Sequence, residues 1–508
     1  MCDEEYDLVP PVAGAMIESL RAYGYTLPTA VADILDNSIS AGGGNIWIDF
    51  HWNGADSFIS ILDDGSGMTE QELRDAMRPG SRNPLEERPP KDLGRFGLGL
   101  KTASFSQCRR LTVASKKEGE NPVFRRWDLD YIRDTDKWHL LRHPAPGSEG
   151  RFQPLEQVKR GTLVLWEKTD RVVGEVSNSD RTAHDRFLQI VGSVEEHLAM
   201  VFHRYLEGPF PRLKIYINGQ GESSRVKPWD TFLASHPATV TYPREPIVTP
   251  AGAFYVQGFV LPHKDRLTDV LYQYASGPAG WTGQQGFYVY RNDRLLVAGS
   301  WLGLGTPRPW TKEEQYKLAR ICIDIPNSLD MDWQIDVKKS TARPPAFIRK
   351  RLRDLAEVVR KQGREVFVHR GAYGPGKTRE PVVRIWRSAS AKGRLVYRID
   401  RPHPLIRQVT ELSPEHSQLI EVLLRVIEET VPVQQIWLDT AERPEVHSRP
   451  FESAEQLEVR RVIEMTYRAM TAKGLITPAE ARKRLADMDA FRDYTEIIDS
   501  LTDINGGA

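Results

Sequence analysis

The sequence predicts an α/β (α+β) protein of several domains, and three features near its start carry this prediction. Residues 27–41 have the periodicity of an amphipathic helix, and a run of glycines at 42–44 ends it. Residues 45–50, in which apolar side chains alternate, and residues 57–62 follow as strands joined by a turn-like Asn-Gly-Ala-Asp. A helical period followed closely by two strands indicates an α/β unit.

The first predicted domain, residues 1–175, continues in the same way. Pro28 suits the first turn of the helix at 27–41. After Asp63 the sequence predicts a helix at 69–77, a Pro- and Arg-rich loop, and a helix that begins at Leu100 behind a glycine-rich segment. Its further strands are expected at 111–115, 124–128 and 161–166.

Two more domains are predicted, at 176–367 and 368–508. The second is expected to begin with a long helix at 182–207 and to end with a basic helix at 346–366. Its predicted strands are 213–218, 254–260, 286–291, 295–298 and 319–325. The third domain is expected to be mostly helical, near 414–429, 454–473 and 478–488, and to serve dimerisation or partner binding.

Composition excludes several classes of protein. With 508 residues the chain is too long for one core, and 40% hydrophobic with 27% charged residues argues against long disordered stretches. Lys+Arg 69 balance Asp+Glu 69, so any contact with nucleic acid must be local. Three cysteines without paired spacing argue against a disulfide framework or a zinc site. An acidic start and the lack of a long apolar run favour a cytoplasmic protein without a membrane segment.

Asp33 and Asn37 lie four residues apart in the predicted helix at 27–41. They are rotated by only about 40° from each other and therefore share one face. A carboxylate and an amide oxygen so placed can hold Mg²⁺ and orient a water molecule, which are the needs of phosphoryl transfer. Taken alone, the pair would equally suit two solvated polar residues.

A second group of residues follows the strand at 57–62. Asp63 stands at the strand end, and Gly65, Gly67 and Met68 follow it. Glycines permit close backbone approach to a flat ligand, and the carboxylate can accept a hydrogen bond from an exocyclic amine. In isolation the same pattern is a common turn.

A third group, Gly94-Arg95-Phe96-Gly97-Leu98-Gly99, leads into the helix at Leu100. Unhindered amides and the positive end of a helix can surround a triphosphate. Glycine spacing alone is weak evidence. The three groups in this order within about 70 residues favour a nucleotide site over three unrelated turns.

The segments Ala-Asp-Ile-Leu-Asp-Asn-Ser, Asp-Asp-Gly-Ser-Gly-Met and Gly-Arg-Phe-Gly-Leu-Gly-Leu-Lys resemble the signature boxes of the GHKL ATPases. That superfamily includes gyrase B subunits, heat-shock chaperones, MutL and MORC proteins. The resemblance implies a Bergerat-type α/β sandwich that binds ATP and Mg²⁺, with Asn37 on the metal and Asp63 on the adenine amino group. Thr162, after Gly161, is similar to a later family threonine that helps to bind adenine. The implied nucleotide contacts are Asn37, Asp63, Gly65, Gly67, Met68, Gly94, Arg95, Phe96, Gly97, Leu98, Gly99, Lys101 and Thr162.

The sequence departs from the family pattern at Asp33. Hydrolysing members carry a glutamate four residues before the metal-binding asparagine, where it activates the attacking water. Asp33 is shorter by one methylene, and misplacement by about 1.5 Å can cost about a hundredfold in rate. The chain is therefore expected to bind ATP and to hydrolyse it slowly.

The second domain also resembles known proteins. Residues 288–296 are similar to a hairpin of the ribosomal-protein-like transducer domain in MutL and MORC proteins, which implies a coupling role. Residues 332–340 fall where that domain sends a catalytic lysine to the γ-phosphate, so Lys338 or Lys339 is expected there. Neighbouring residues of an extended segment face opposite ways, so only one lysine can point inward. A solvated basic pair is the alternative.

Residues 371–378 match the P-loop pattern literally. A P-loop requires a helix directly after it, whereas residues 379–386 form an extended pattern interrupted by Pro381. The segment is interpreted as a flexible linker.

The segment 343–394 contains fifteen basic and four acidic residues. Together with the nearby Trp386 and Tyr397, it would suit DNA through phosphate contacts and stacking. A solvated basic face is an equally good interpretation. The acidic residues between Asp3 and Asp7 could instead reach a partner subunit.

The strongest likeness is to bacterial MORC-like ATPases. It implies an ATP-dependent homodimeric clamp that acts on DNA, with partner proteins and a role in restriction-like defence. Two alternatives remain open: a chaperone of the heat-shock type, and a nucleotide-sensing scaffold that does not hydrolyse ATP.

Overall fold

A computed structural model of the protein describes residues 7, 11–80, 99–250, 252–335, 341–368, 385–391, 394–412, 414–436, 450–472, 476–488 and 490–501. The chain forms two compact units, Met1–Arg364 and Glu365–Ala508. The break between them lies near the predicted boundary at 367, and the division of the first unit into two domains at 175 stays a prediction.

The first unit contains two mixed sheets and the helices that cover them. Its helices are α1 (Ala13–Arg21), α2 (Leu27–Ser40), α3 (Glu70–Met77), α4 (Gly99–Phe105), α5 (Leu129–Thr135), α6 (Gln153–Glu156), α7 (Arg181–Val201), α8 (His203–Leu206), α9 (Asp269–Ser276) and α10 (Gly280–Gly283). Its strands are β1 (Asn45–His51), β2 (Phe58–Asp63), β3 (Arg110–Lys116), β4 (Val123–Asp128), β5 (Gly161–Glu167), β6 (Lys214–Ile217), β7 (Val240–Thr241), β8 (Glu245–Thr249), β9 (Gly252–Val260), β10 (Gly286–Arg291), β11 (Arg294–Ser300) and β12 (Ala319–Ile325). Helix α11 (Ala346–Val368) runs to the end of this unit and slightly beyond it. Short 3-10 helices lie at Glu149–Phe152, Glu222–Ser224, Lys264–Arg266, Glu314–Tyr316 and Asn327–Leu329.

The first sheet has the strand order β4-β3-β5-β2-β1-β6. Neighbouring strands are antiparallel except β1 and β6, which are parallel. In this register Asp63, the last residue of β2, lies opposite Ile46 on one side and Thr162 on the other. The pairing therefore fixes Asp63 in the middle of the sheet, beside the start of β5.

Helices cover one face of this sheet. Ile46, Ile48 and Phe50 of β1 are buried against α1, α2, α4, α5 and α7, because alternate residues of a strand point to the same face. On the opposite face Leu163 and Leu165 of β5 pack against the α6 region. The predicted α/β class is confirmed.

Helix α2 lies between α4 and α7. At its start the backbone nitrogen of Thr26 donates to Thr29 Oγ1 at 3.1 Å, and Pro28 occupies the first turn. Gly42, with φ +75°, follows its C-terminal end and adopts a conformation that favours glycine. The sequence predicted both ends of this helix to within a residue.

The second sheet has the order β11-β10-β12-β9-β7, and β8 also pairs with β9. Strands β10 and β11 form the hairpin that the sequence predicted, with Asn292 at φ +50° and Asp293 at φ +66° in its turn. Two successive residues with positive φ are typical of a two-residue hairpin turn. Arg294, the first residue of β11, follows this turn directly.

Strand β6 differs from its predicted place. Residues 213–218 were predicted as a strand of the second domain, whereas β6 extends the first sheet by pairing in parallel with β1. Helix α7 explains this arrangement, since it packs on α2 and returns the chain to the same sheet edge. Hydrophobic periodicity predicts the strand and the helix before it, but it does not show which sheet the strand joins.

The described residues of the second unit include a hairpin and five helices. They are β13 (Trp386–Ala391), β14 (Arg394–Ile399), α12 (Pro404–Leu412), α13 (Ser417–Glu429), α14 (Gln456–Thr471), α15 (Pro478–Ala486) and α16 (Thr495–Asp499). Short 3-10 helices lie at Pro414–His416 and Arg492–Tyr494. The buried Glu428 of α13 accepts hydrogen bonds at 2.8 Å from the backbone nitrogen of Ile399 and from Arg401, which holds this helix to the hairpin.

The last three helices of the second unit share a core of their own, which includes Val459, Ile463, Leu485 and Ile498. Across the described parts of both units, none of the helices combines the length and the apolar character needed to cross a membrane.

Candidate functional site

Asp63 is a buried carboxylate with three hydrogen-bond donors among the described residues. Oδ1 accepts from the backbone nitrogens of Gly65 at 2.9 Å and Thr162 at 3.2 Å, and Oδ2 accepts from Ser38 Oγ at 2.7 Å. Burial raises the pKa of Asp63 above its ordinary value, and the donated hydrogen bonds oppose that rise. The carboxylate is thus fixed in one orientation at the junction of α2, β2 and β5.

The glycines around Asp63 lie close to other parts of the protein. A Cβ atom on Gly67, which has φ +68°, would lie 2.0 Å from the carbonyl oxygen of Lys116. A Cβ atom on Gly65 would lie 2.9 Å from Asp63 Oδ1. Gly161, with φ +151°, would bring a Cβ within 1.9 Å of the Asp63 carbonyl oxygen. These glycines allow parts of the protein to meet, and the contact of Gly65 and Gly67 with a nucleotide stays a prediction.

Ser115 connects the remaining residues around Asp63. Its Oγ accepts a hydrogen bond from the backbone nitrogen of Met68 at 2.8 Å and lies 2.9 Å from Thr162 Oγ1. The turn after β2 is therefore tied to both β3 and β5. Thr162, a predicted adenine contact, lies beside Asp63 through its backbone and within this hydroxyl network through its side chain.

Asp33 and Asn37 lie one turn apart on α2, as the sequence predicted. Asn37 Nδ2 donates to the carbonyl oxygen of Asp33 at 3.0 Å, and the Asn37 side chain is exposed. Asp33 is only 2% exposed, and Tyr25 donates its hydroxyl to Asp33 Oδ2 at 2.7 Å. Asp33 is therefore a buried group with a defined partner, while Asn37 faces outward.

Arg294 lies beside the acidic residues of α2. Its Nε is 3.2 Å from both carboxylate oxygens of Asp36, and its Nη2 is 3.8 Å from Asp33 Oδ1. The side chains of Arg294, Asp33 and Asp36 are all at most 4% exposed. The second sheet thus contributes a buried cation to the helix that carries the predicted catalytic residue.

His197 of α7 lies close to this ion pair. Burial lowers the pKa of His197 to about 4; the charge of Arg294 acts in the same direction, and Asp36 opposes both. The imidazole is therefore neutral at pH 7, and it adds no second positive charge next to Arg294.

The predicted lid is described only at its end. Residues 94–98, with Gly94, Arg95, Phe96, Gly97 and Leu98, lie outside the described residues, as do Lys338 and Lys339 and the P-loop-like segment at 371–378. Gly99 begins α4 next to the base of the site, since a Cβ on it would lie 3.7 Å from Asp33 Oδ2.

Lys101 is buried, and its Nζ donates to the carbonyl oxygen of Ala76 at 2.9 Å, near the C-terminal end of α3. Its role in nucleotide binding stays a prediction.

The basic helix α11 is less available to DNA than its composition suggests. Arg360 is 6% exposed, and its guanidinium lies 3.8 Å from the ring centroid of Tyr316 and 4.3 Å from that of Trp310. Arg351 pairs with Glu245 at 2.6 Å. Both arginines belong to the basic segment that was predicted to contact phosphates. Arg360, however, lies among aromatic rings, and Arg351 has an acidic partner.

Lys350 and Lys361 are exposed residues on one face of α11, eleven positions apart. Asp354 and Glu357 share that face, and Lys350 Nζ lies 3.7 Å from Asp354. Much of the remaining basic segment, residues 369–384 and 392–393, lies outside the described residues. Arg343, Arg349 and Arg364 are exposed as well, so the described part offers a surface that mixes cations with acidic residues.

The residues present fit a magnesium-bound adenine nucleotide. A carboxylate has about four acceptor positions, and the described donors occupy three of those of Asp63, so one remains for an exocyclic amine. Because Asn37 uses its amide nitrogen toward the backbone, its Oδ1 is the atom left to bind Mg²⁺. Thr162 brings a hydroxyl to the same end of the pocket.

Sequence reasoning missed several residues of this site. Asp36 and Arg294 were not predicted because their contact joins residues 258 positions apart, and Tyr25 was not predicted because it lies before the helical pattern of α2. Ser38 did give a signal: a serine on the apolar face of an amphipathic helix must find a buried hydrogen-bond partner, which here is Asp63.

Comparisons with known proteins agree with this geometry. Residues 25–162 match the family described as histidine kinase-, DNA gyrase B-, and HSP90-like ATPase. The ATPase morc-1 of Caenorhabditis elegans is 32% identical over 237 residues, which cover 38% of this chain and 26% of that protein. The DNA mismatch repair protein MutL of Dictyoglomus turgidum is 31% identical over 114 residues, which cover 22% of this chain and 19% of that protein.

The alignments span about a quarter or less of the length of these relatives. The matched family region runs from Tyr25, which contacts Asp33, to Thr162, which contacts Asp63, and so encloses the described pocket. Residues 25–162 therefore have the character of a GHKL-type ATPase region, and the chain is similar in part to MORC and MutL proteins.

Proposed function

We propose that this protein binds ATP with Mg²⁺ in the pocket formed by α2, the turn after β2 and the start of β5, and hydrolyses it slowly. The observation that carries this proposal is Asp63, a buried carboxylate with an acceptor position left for the amino group of adenine. The pairing of β2 with β5 and the serine hydroxyl from α2 hold it in place before any ligand arrives.

Two residues of α2 have separate proposed roles in hydrolysis. Asn37 would hold Mg²⁺, which supplies positive charge to the phosphate oxygens and orients them. Asp33, one turn earlier, would accept a proton from the attacking water. Gly99 and the preceding segment 94–98 would close over the phosphates, and Lys338 or Lys339 would supply a further cation.

The wider activity proposed is that of a homodimeric clamp acting on DNA, in which ATP binding favours docking of two protomers. One relative carries the name DNA mismatch repair protein MutL, which supports DNA as the substrate class. Partner proteins, a cytoplasmic location and a role in defence against foreign DNA stay predictions from the sequence.

Replacing Asp33 by asparagine should abolish most of the ATP hydrolysis and leave ATP binding intact. A general base contributes about 10²–10⁴-fold, and the short side chain places Asp33 at the lower end, so we expect kcat to fall about a hundredfold. Steady-state phosphate release and calorimetric titration of ATP with Mg²⁺ measure the two quantities. Asp33→Glu, which restores the family residue, should keep or raise kcat.

A nucleotide sensor predicts a different outcome for the same variants. If the unmodified chain binds ATP and releases no phosphate above background, or if Asp33→Asn releases it equally fast, Asp33 is not the base and the scaffold alternative is correct. An Asp33→Asn variant that also loses affinity would indicate a damaged pocket, which the thermal midpoint of the variant would reveal.

The DNA contact is expected to depend on the exposed lysines of α11. Each lost phosphate contact lowers the slope of log affinity against log salt by about 0.9, so the double variant Lys350→Gln with Lys361→Gln should reduce it by about 2. Fluorescence anisotropy with a duplex at several salt concentrations measures this slope, with and without a non-hydrolysable ATP analogue.

A matched double variant tests whether this effect belongs to α11. Lys137→Gln with Lys159→Gln removes the same charge from exposed positions of the first sheet's loops, and it should leave the slope unchanged. An equal decrease of the salt slope in both double variants would mean that DNA binding depends only on net charge. The proposed α11 contact would then be wrong.

A further inference from the structure

The Asp33 carboxylate is contacted on both of its oxygens by residues outside α2. Tyr25, two residues before the helix, donates its hydroxyl to Oδ2 at 2.7 Å. Arg294 places Nη2 3.8 Å from Oδ1. Tyr25 is 7% exposed and Arg294 is 4% exposed, so solvent does not compete strongly for either contact.

Three contacts help to fix Arg294. Its Nε lies 3.2 Å from each oxygen of Asp36, and its Nη1 donates to the carbonyl oxygen of Leu295 at 2.9 Å. It is the first residue of β11, next to the turn at Asn292 and Asp293. The position of its guanidinium therefore depends on the β10–β11 hairpin that carries it and on Asp36 of α2.

We propose that Tyr25 and Arg294 are positioning residues for Asp33, and that Arg294 ties the geometry of Asp33 to the β10–β11 hairpin. Contacts on both oxygens restrict the rotation of a carboxylate that is one methylene shorter than the family residue. A displacement of about 1 Å in such a group can cost a hundredfold in rate. The two contacts would thus limit the loss that the shorter side chain causes.

The link to the hairpin gives the second sheet a means to regulate hydrolysis. Movement of β11 relative to α2 would carry Arg294 away from Asp33 and Asp36, since the contacts connect residues 258 positions apart in the chain. This proposal rests on the proposed function, because it assigns a role that only a hydrolysing Asp33 can have. It adds a second-sheet residue to a site that otherwise lies in the first sheet.

A double-mutant cycle between Tyr25 and Asp33 tests the proposal. Tyr25→Phe removes one oxygen and leaves the buried pair of Arg294 and Asp36 intact. It should lower kcat about tenfold and keep the Kd for ATP within about threefold. Combined with Asp33→Asn it should cause no further loss, because a residue that acts through Asp33 has nothing left to position.

Arg294→Lys and Arg294→Gln give the corresponding test for the guanidinium. Lysine keeps the charge but cannot reproduce the planar contact with Asp36, so its kcat should lie between those of the unmodified chain and of Arg294→Gln. The Kd for ATP should again change little. In the Asp33→Asn background, the Arg294 substitutions should cause no further decrease of kcat.

Tyr288→Phe is the matched control. Tyr288 is fully buried in β10 and donates its hydroxyl at 2.7 Å to the backbone carbonyl of Gln284, away from any carboxylate. Its kcat should stay within about twofold of the unmodified chain. If Tyr25→Phe lowers kcat equally in the Asp33 and Asp33→Asn backgrounds, or no more than the control does, the positioning role is wrong.

The failure of this proposal can be told apart from failure of the proposed function. A chain that hydrolyses ATP, loses that activity in Asp33→Asn and shows additive effects at Tyr25 and Arg294 keeps its function and loses the positioning role. A chain that releases no phosphate at all overturns both, because there is no reaction for Asp33 to serve.

Discussion

Replacing Asp63 by asparagine should weaken ATP binding by about a hundredfold, because a charge-assisted hydrogen bond contributes roughly 1.5–3 kcal/mol. The carboxylate accepts from Ser38, Gly65 and Thr162, and an amide would turn an NH₂ group toward either a hydroxyl donor or the amino group of adenine. Calorimetric titration with ATP and Mg²⁺ measures the change.

The control for Asp63→Asn is Asp49→Asn. Asp49 is an exposed carboxylate on the neighbouring strand β1, and its replacement should leave the Kd for ATP within about threefold. Both variants should unfold at temperatures close to that of the unmodified chain. An Asp63→Asn variant that binds ATP as tightly as the control would show that Asp63 does not bind adenine, and the proposed nucleotide site would be wrong.

Replacing Asp36 by alanine should destabilise the first unit by about 3–5 kcal/mol. Removing one member of a buried ion pair leaves the other charge in a poorly solvated place, and Arg294 is only 4% exposed. Denaturant unfolding followed by tryptophan fluorescence measures the loss. The fluorescence reports on this unit in particular, since Trp127, Trp166 and Trp229 are buried there.

An exposed ion pair provides the comparison for Asp36→Ala. Glu245 and Arg351 approach to 2.6 Å, but their side chains are 40% and 55% exposed. Glu245→Ala should therefore cost less than about 1 kcal/mol. If the two variants cost the same, burial does not govern the Asp36–Arg294 pair, and the rigid link between α2 and the second sheet would have to be given up.

Local sequence patterns predicted the elements of the site well. The ends of α2 follow from Pro28 and the glycines after Ser40, and the place of Asp63 follows from the alternation that defines its strand. Asp33 and Asn37 share a face because the helical repeat requires it. These features depend on residues that are close together in the chain, so the sequence alone is sufficient for them.

The surroundings of the same residues could not be predicted. Asp36 is a charged residue of α2, yet it is buried, and Arg294 comes to it from a strand 258 residues later. Arg360 contributed to a predicted DNA surface, but rings that are distant in sequence enclose it. Residue type indicates the charge of a side chain, and only the tertiary structure shows whether another group neutralises or covers it.

The parallel pairing of β6 with β1 limits how the chain can be shortened for study. A fragment ending at residue 175 would leave the outer backbone groups of Asn45–Ile48 bare, and uncovered strand edges recruit other chains. After β6 the chain contacts α7 again, where the backbone nitrogen of Trp229 donates to the carbonyl oxygen of Ala199 at 3.1 Å. Truncation at the apparent end of the ATPase motifs would thus favour aggregation, and a cut near residue 230 would also remove Arg294 from its buried contact with Asp36.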